Sequence, residues 1–204
     1  DDDKPPEADA ENEENYLSVH DVPLDILYTR CCHLREILPI PATLKQLKGK
    51  SKPLHVLKFL NPKPSLIDIL SFSDFIAIAP INTIIFDNVI LTNEMIKVML
   101  TSLSNNQSLE KLSLKNMMID SESWKFLCKF LLKNQKLLKL DLSQTKYRSD
   151  LSPEYYRFNM NWKLFVDVLK KRGGISELIL TGIDFKLEDF QELIGSGIAI
   201  STKR

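Results

Sequence analysis

The segment LEKLSL at residues 109–114 is followed by LLKLDL at residues 137–142, with leucine at the same first, fourth and sixth positions. The same spacing of apolar residues recurs in LHVLKF (54–59), INTIIF (81–86) and ISELIL (175–180). The last four residues of each segment place apolar side chains on alternate positions, as in a strand with one buried face. The pattern predicts strands at residues 56–60, 83–87, 111–115, 139–143 and 177–181. Their central side chains should form one buried column of Leu57, Ile84, Leu112, Leu140 and Leu178.

Helical periodicity fills the spaces between these segments. Apolar residues at 124–131 follow the spacing i, i+3, i+4, i+7, which places them on one face of a helix. Trp124 precedes Leu140 by the same distance along the chain as Trp162 precedes Leu178. The two tryptophans therefore occupy the same position in successive repeats. Equivalent positions of stacked repeats form core columns, so we expect core packing of this pair rather than a ligand platform.

A strand and a helix within about 28 residues are typical of the long class of leucine-rich repeat. The sequence predicts an α/β leucine-rich-repeat solenoid, a segment of a ribonuclease-inhibitor-like horseshoe with parallel strands on the concave side and helices on the convex side. The asparagine or cysteine usual in the turn after each strand is replaced by Val89, Met117, Thr145 and Ile183. One residue earlier stands an amide column, which we expect to cap the turns: Asn61, Asn88, Asn116 and Gln144, then Gly182.

Charge separates the two parts of the chain. Residues 1–23 carry nine acidic groups and one lysine, whereas the remainder carries 26 basic and 18 acidic groups. The first part is typical of a disordered acidic tail, and its opening Asp-Asp-Asp-Lys resembles the remnant of a protease-cleavable tag. The cysteines are odd in number and no signal-peptide pattern opens the chain, which predicts free thiols and a location in the cytoplasm or nucleus.

The region between the acidic tail and the repeats predicts a helical cap at residues 24–53. An amphipathic helix is expected at 24–38, capped by Asp21, and a shorter helix at 43–47. The apolar stripe of the first helix comprises Leu24, Leu27, Tyr28, Cys31, Leu34 and Leu38. Residues 54–204 hold the repeats, and we expect more repeats to follow because no terminal cap pattern closes the last one.

Extra residues in the fourth repeat form a polar and aromatic insertion at residues 146–159. Insertions of this kind project as loops that make contacts or are simply tolerated on the surface.

Catalytic, cofactor and metal motifs are not found in the sequence. There is no glycine-rich phosphate loop, and Cys31-Cys32-His33 lacks the second ligand pair that a zinc site needs. His20 and His55 lack the neighbours of a catalytic triad. Basic residues are not interleaved with aromatic ones, and no apolar run could span a bilayer. The expectation is a non-enzymatic chain with no cofactor, metal, small-molecule substrate, nucleic acid or membrane as partner.

Side chains that alternate with the buried strand residues should face outward on the concave side and bind a protein. The predicted binding residues are Lys58, Ile85, Asp87, Lys111, Ser113, Lys115, Lys139, Asp141 and Ile179. Four lysines among them form a basic strip, so the expected partner is an acidic peptide or protein surface, including the chain's own acidic tail. The alternatives are a plain solvated sheet surface and contacts made by the insertion at residues 146–159.

Several segments of this chain are similar to those of a known family. The segments are LDILY (24–28), PIPATLKQL (39–47), LNPKPSLID (60–68), IIFDNV (84–89) and LEKLSLKN (109–116). They resemble leucine-rich-repeat regulatory subunits of type 1 protein phosphatase, most closely the fungal phosphatase-interacting members. The resemblance extends over residues 24–204 and implies a scaffold that targets or regulates the phosphatase catalytic subunit.

The short basic-hydrophobic-x-aromatic motif by which such regulators dock is expected outside this chain. The stretch at residues 55–59 (HVLKF) has a spacing one residue too long, and Leu57 and Phe59 are needed in the core. Two other functions fit the repeats: a generic interaction module for other partners, such as cytoskeletal proteins, and an enzyme inhibitor of the ribonuclease-inhibitor type. The fold alone does not show which of these three functions the chain has.

Overall fold

The repeats build one parallel sheet. The computed structural model describes residues 21–146, 150–195 and 200–201. In the described part of the chain the strands lie in sequence order, each hydrogen-bonded in parallel to the next. They are β1 (Leu54–Phe59), β2 (Ile81–Phe86), β3 (Lys111–Ser113), β4 (Lys139–Asp141), β5 (Glu177–Ile179) and β6 (Ile200–Ser201). The predicted acidic tail falls almost wholly outside the described residues.

Helices precede the sheet and link its strands. They are α1 (Leu24–Leu34), α2 (Pro41–Leu47), α3 (Leu66–Ile78), α4 (Asn93–Leu103), α5 (Ser121–Lys133), α6 (Trp162–Arg172) and α7 (Leu187–Gly195). Side chains at the N-termini of four of them accept a hydrogen bond from the first turn: Ser65, Thr92, Asp120 and Asn161. These caps satisfy amides that the helix itself leaves unpaired. Consecutive helices from α3 to α7 pack side by side.

The predicted core column is confirmed. Leu57, Ile84, Leu112, Leu140 and Leu178 are register partners across five strands and have no solvent exposure. Trp124 and Trp162 are also fully buried, with ring centroids 4.8 Å apart in an edge-to-face arrangement. The tryptophan pair is therefore part of the core and is inaccessible as a ligand platform.

The strands end earlier than predicted. Strands β3, β4 and β5 stop two residues before the expected positions, and β1 and β2 stop one residue before them. The backbone turns into the left-handed region at Asn88 (φ 56°), Asn116 (φ 58°) and Gly182 (φ 77°), which ends the extended run. At Gly182 a side chain would also collide with the carbonyl oxygen of Gln144, so glycine is required there.

The amide column caps turns as expected at three of its positions, the first being Asn61, whose Oδ1 accepts from the amide of Lys63 at 3.2 Å. Asn116 Oδ1 accepts hydrogen bonds from the amides of Thr145 (2.8 Å) and Lys146 (3.0 Å). Gln144 Oε1 accepts from the amide of Arg157 (2.9 Å). Asn116 thereby holds the chain after the next strand, and Gln144 holds the C-terminal part of the insertion.

Two asparagines, which we name the buried amide ladder, join neighbouring repeats ahead of β3 and β4. Asn106 Nδ2 donates to the carbonyl of Ile76 at 2.7 Å in the repeat before it. Asn134, at the equivalent position of the next repeat, donates from Nδ2 to the carbonyl of Leu103 at 2.8 Å. Both asparagines are buried. Because they satisfy carbonyl groups at the ends of α3 and α4 that water cannot reach, they fix the spacing of neighbouring repeats.

The N-terminal helices differ in detail from the prediction. Helix α1 ends at Leu34 because Glu36 adopts a left-handed conformation (φ 58°) and the amide of Ile37 bonds back to the carbonyl of Cys32. Leu34 and Leu38, predicted in the apolar stripe, are each 84% exposed. Asp21 does not cap this helix, whose N-cap position is Pro23.

Candidate protein-binding surface

The concave face carries two rows of side chains that run across the strands. The strand register places in the first row Val56, Thr83, Lys111, Lys139 and Glu177. The second row contains Lys58, Ile85, Ser113, Asp141 and Ile179. Asp87 and Lys115 lie beyond the ends of β2 and β3, so strand alternation does not place their side chains. The parallel sheet thus brings seven of the nine predicted binding residues to one face.

Exposure divides these nine residues. Lys58, Asp87 and Lys139 are exposed, while Ile85, Lys111, Lys115 and Asp141 are half-buried.

The predicted exposure was wrong for two of the nine. Ser113 is 4% exposed and Ile179 is 5% exposed. The short side chain of Ser113 lies between the longer side chains of Ile85 and Asp141, and β6 pairs alongside β5 at Ile179. These two residues line the floor of the face and offer little area for contact.

Positive charge is concentrated in the first row. Lys111 and Lys139 are register partners on adjacent strands, which lie roughly 4.8 Å apart in a sheet. Lys139 Nζ lies 3.6 Å from Glu177 Oε2 in the next strand. The row contains two lysines and one glutamate, so it retains a net positive charge that a carboxylate of a partner would neutralise.

Two predicted binding residues, Asp87 and Asp141, are held by local hydrogen bonds. Asp87 Oδ1 accepts from Asn116 Nδ2 at 3.1 Å. Asp141 Oδ1 accepts from the amide of Ser143 at 2.9 Å. These carboxylates therefore stabilise the turns that end the strands, and part of their hydrogen-bonding capacity is already used within the protein.

The insertion at residues 146–159 is anchored in the core by a buried arginine. Arg157 has no solvent exposure and donates from Nε to the carbonyl of Leu142 (3.1 Å) and from Nη2 to that of Met117 (2.7 Å). Its own carbonyl accepts from Trp162 Nε1 (2.7 Å). The insertion is thus tied to the repeats at its C-terminal end, which the sequence analysis missed. Residues 147–149 lie outside the described part of the chain.

Reactive and metal-binding groups are scarce where the structure is described. Burial raises the pKa of Cys31 to about 11 and that of Cys128 to about 12, so these thiols are poor nucleophiles. Within residues 21–146, 150–195 and 200–201, no three His, Cys, Asp or Glu side chains are grouped so that they could hold a metal ion. The helices in the same ranges are too short or too polar to cross a membrane.

Comparison with protein families gives one match over most of the chain. The family described as the MHP1/HER1/GIP3 LRR domain matches residues 24–204. HMG2-induced ER-remodeling protein 1 of Saccharomyces cerevisiae is 55% identical over 188 residues, which are 91% of this chain and 15% of the relative. MAP-homologous protein 1 of the same yeast is 41% identical over 191 residues, 85% of this chain and 14% of the relative. The chain therefore spans about one seventh of the length of these relatives.

Among solved structures, the leiomodin-1 actin-binding site 2 is similar to this chain with a TM-score of 0.52. The alignment covers 88% of each chain at 12% sequence identity. The likeness supports the leucine-rich-repeat fold and is too distant to carry function.

Proposed function

This chain belongs to the MHP1/HER1/GIP3 LRR domain family, and on that premise we propose that it is a non-enzymatic protein-binding module whose concave face holds an acidic surface of a partner. The observation that carries the proposal is the alignment of Lys111 with Lys139 in one row of the sheet. Leucine-rich repeats present such a face on a rigid scaffold, which lowers the entropy lost when a partner binds. We assign this binding to the cytoplasm or nucleus, because the described cysteines are free thiols.

Charge on this face supports an acidic partner. Lys58 and Lys139 are exposed, and Lys111, the register partner of Lys139, is half-buried. Lysines fixed close together raise the local potential, which attracts a negatively charged surface and accelerates its association. The buried positions Ser113 and Ile179 would act as a flat floor beneath the contact.

The first partner that we propose to test is the catalytic subunit of type 1 protein phosphatase. The support is the resemblance of residues 39–47 to the capping segment of phosphatase regulators. The nearest approach to a docking motif is the stretch at residues 55–59, which forms β1 with Leu57 and Phe59 buried. A phosphatase contact made by this chain would therefore use the concave face rather than these two side chains.

A cytoskeletal protein is the second candidate partner. One relative is named MAP-homologous protein 1 and is 41% identical, and the fold is shared with a domain named as an actin-binding site. Both names describe other proteins, so actin and tubulin serve here as alternative analytes in the same experiment.

The experiment measures association of the immobilised chain with the phosphatase catalytic subunit, actin and tubulin by biosensor at low and high salt. The test variant is Lys111→Glu combined with Lys139→Glu. The control variant makes the same charge change at Lys125 and Lys171, which are exposed on α5 and α6. The concave variant should slow association by about tenfold or more at low salt and flatten its salt dependence, while the control changes little.

Two results would contradict the proposal at different levels. If the concave variant binds a partner as fast as the control variant does, the concave face is not the site, and the insertion at residues 146–159 becomes the better candidate. If none of the three analytes binds the unmodified chain, the proposed partners are wrong.

A further inference from the structure

A groove lies at the N-terminal end of the sheet, between α2 and β1. Its volume is about 730 Å³, and we name it the cap groove. Its apolar lining includes Ala42, Pro53, Leu54, Val56 and Leu60. Val56 is 43% exposed and Leu60 is 55% exposed. When a partner covers apolar side chains gathered in an open groove, the free energy falls because apolar surface is removed from water.

The outer edge of β1 is partly completed by a side chain from α2. Gln46 Oε1 accepts from the amide of Lys58 at 2.9 Å, and Gln46 Nε2 donates to the carbonyl of Lys58 at 2.8 Å. One side-chain amide thus imitates a residue of a neighbouring strand. The backbone N–H and C=O groups of successive residues in a strand point to opposite edges. Those of Val56, two residues before Lys58, therefore point to the same outer edge as those of Lys58. The groove therefore places a strand edge beside exposed apolar side chains.

Positive charge surrounds this apolar lining. Lys45 and Lys50 line the groove, and both are exposed. The lining contains no aspartate or glutamate. Lys58 is adjacent, since it follows Val56 on β1 by two residues. The groove therefore favours a ligand that is both apolar and negatively charged.

We propose that the cap groove binds an extended segment of a partner protein in which large apolar side chains alternate with or adjoin acidic residues. The apolar side chains would pack on Val56 and Leu60, and the carboxylates would lie near Lys45 and Lys50. This inference rests on the proposed protein-binding function and adds a second contact to it. The groove adjoins the proposed binding surface, because Val56 belongs to the same row of the concave face as Lys111. This continuity between the two surfaces supports an external partner.

The probe for this proposal is a fluorescein-labelled peptide, EELTFEE, whose leucine and phenylalanine point the same way in an extended chain. Fluorescence polarisation of the probe with the full chain should give saturable binding. The first control peptide, EESTSEE, has serine at both apolar positions, and the second, KKLTFKK, has lysine for every glutamate. Each should bind at least about tenfold more weakly than EELTFEE. Equal binding of the three peptides would overturn the proposal, as would no saturable binding of EELTFEE.

Substitutions in the chain locate the probe. Val56→Ser with Leu60→Ser should weaken binding of EELTFEE by about tenfold. The matched control is Ile67→Ser with Ile78→Ser, two exposed positions on α3, which should change binding less than about twofold. Unchanged thermal unfolding of both variants would show that the fold is intact. A loss of equal size in both variants would place the probe elsewhere and overturn the proposal.

Further variants separate this inference from the concave-face proposal and from the chain's own acidic tail. Lys111→Glu with Lys139→Glu should leave binding of EELTFEE within about threefold, because these lysines lie outside the groove lining. Lys45→Glu with Lys50→Glu should weaken it and flatten its salt dependence. Removing residues 1–20 should leave the affinity unchanged. A clear gain in affinity on that removal would show that the acidic tail occupies the groove, which would overturn the assignment to a partner protein.

Discussion

Replacing Asn134 by alanine should destabilise the fold, because this side chain makes two hydrogen bonds to the preceding repeat and two within its own repeat. Its Nδ2 donates to the carbonyls of Leu103 (2.8 Å) and Asn106 (3.1 Å). Its Oδ1 accepts from the amides of Lys136 (3.1 Å) and Leu137 (3.2 Å). The side chain is buried, with 1% exposure, so alanine leaves these backbone groups without their partner in a place that water reaches poorly.

The magnitude follows from the number of bonds lost. A net contribution of about 1 kcal/mol for each hydrogen bond gives an upper value near 4 kcal/mol. Lys136 is exposed, so water can replace the bond to its amide and reduce the loss. We therefore expect Asn134→Ala to lower the free energy of unfolding by about 2–4 kcal/mol.

Urea unfolding followed by tryptophan fluorescence provides the assay, since Trp124 and Trp162 are both buried in the core. The control is Gln135→Ala at the next residue, whose exposed side chain makes a single long contact of 3.4 Å to the carbonyl of Leu132. This control should change the free energy of unfolding by less than about 0.5 kcal/mol. If the two variants differ by less than about 0.5 kcal/mol, the amide ladder does not stabilise the repeats.

Four further predictions concern the core, the insertion, the thiols and acid stability. Leu112→Ala should cost about 2–5 kcal/mol in urea unfolding, and a change below about 0.5 kcal/mol would contradict its burial. Arg157→Met should cost about 2–4 kcal/mol because it leaves buried carbonyl groups without donors, and a stability equal to that of the parent would refute the anchoring of the insertion. Because burial raises the pKa of Cys31 to about 11 and that of Cys128 to about 12, a thiol reagent at pH 8 should label these cysteines slowly until denaturant is added; fast labelling of folded protein would argue against it. Burial opposes ionisation of Asp120, but hydrogen bonds from the Ser123 amide and the Asn93 side chain outweigh it and lower the pKa of this carboxyl group. The contribution of Asp120 to stability is therefore complete above about pH 4 and is lost as the pH falls through its folded-state pKa. Asp120→Asn should remove this part of the pH dependence of stability, measured by urea unfolding between pH 6 and pH 2.

Sequence reasoning succeeded where a pattern repeats over short distances. A strand residue such as Leu112 shares one local environment with its equivalents in the neighbouring repeats, Ile84 and Leu140, because each repeat stacks on a copy of itself. The parallel pairing, the buried column and the tryptophan pair all follow from that periodicity. The repeated Asn-Gln dipeptide at residues 106–107 and 134–135 is also periodic, and it was the signal that could have revealed the amide ladder.

Exposure on the candidate surface could not be predicted from alternation alone. Alternation places Ser113 and Lys111 on the same face, but a serine between Ile85 and Asp141 is covered while a lysine extends past its neighbours. The end of α1 was also missed, because the left-handed turn at Glu36 depends on a local hydrogen-bond arrangement that the apolar stripe does not encode.

The sequence by itself determined the repeat, its strand register and the face on which the lysines stand, since these depend on residue spacing within one repeat and its neighbours. Only the tertiary structure decided which side chains bridge distant segments. Arg157 donates to carbonyl groups 15 and 40 residues earlier in the chain, and Gln46 closes part of the β1 edge from 12 residues away. Neither belongs to the periodic pattern, because each side chain satisfies backbone groups that are brought near it only when the chain folds.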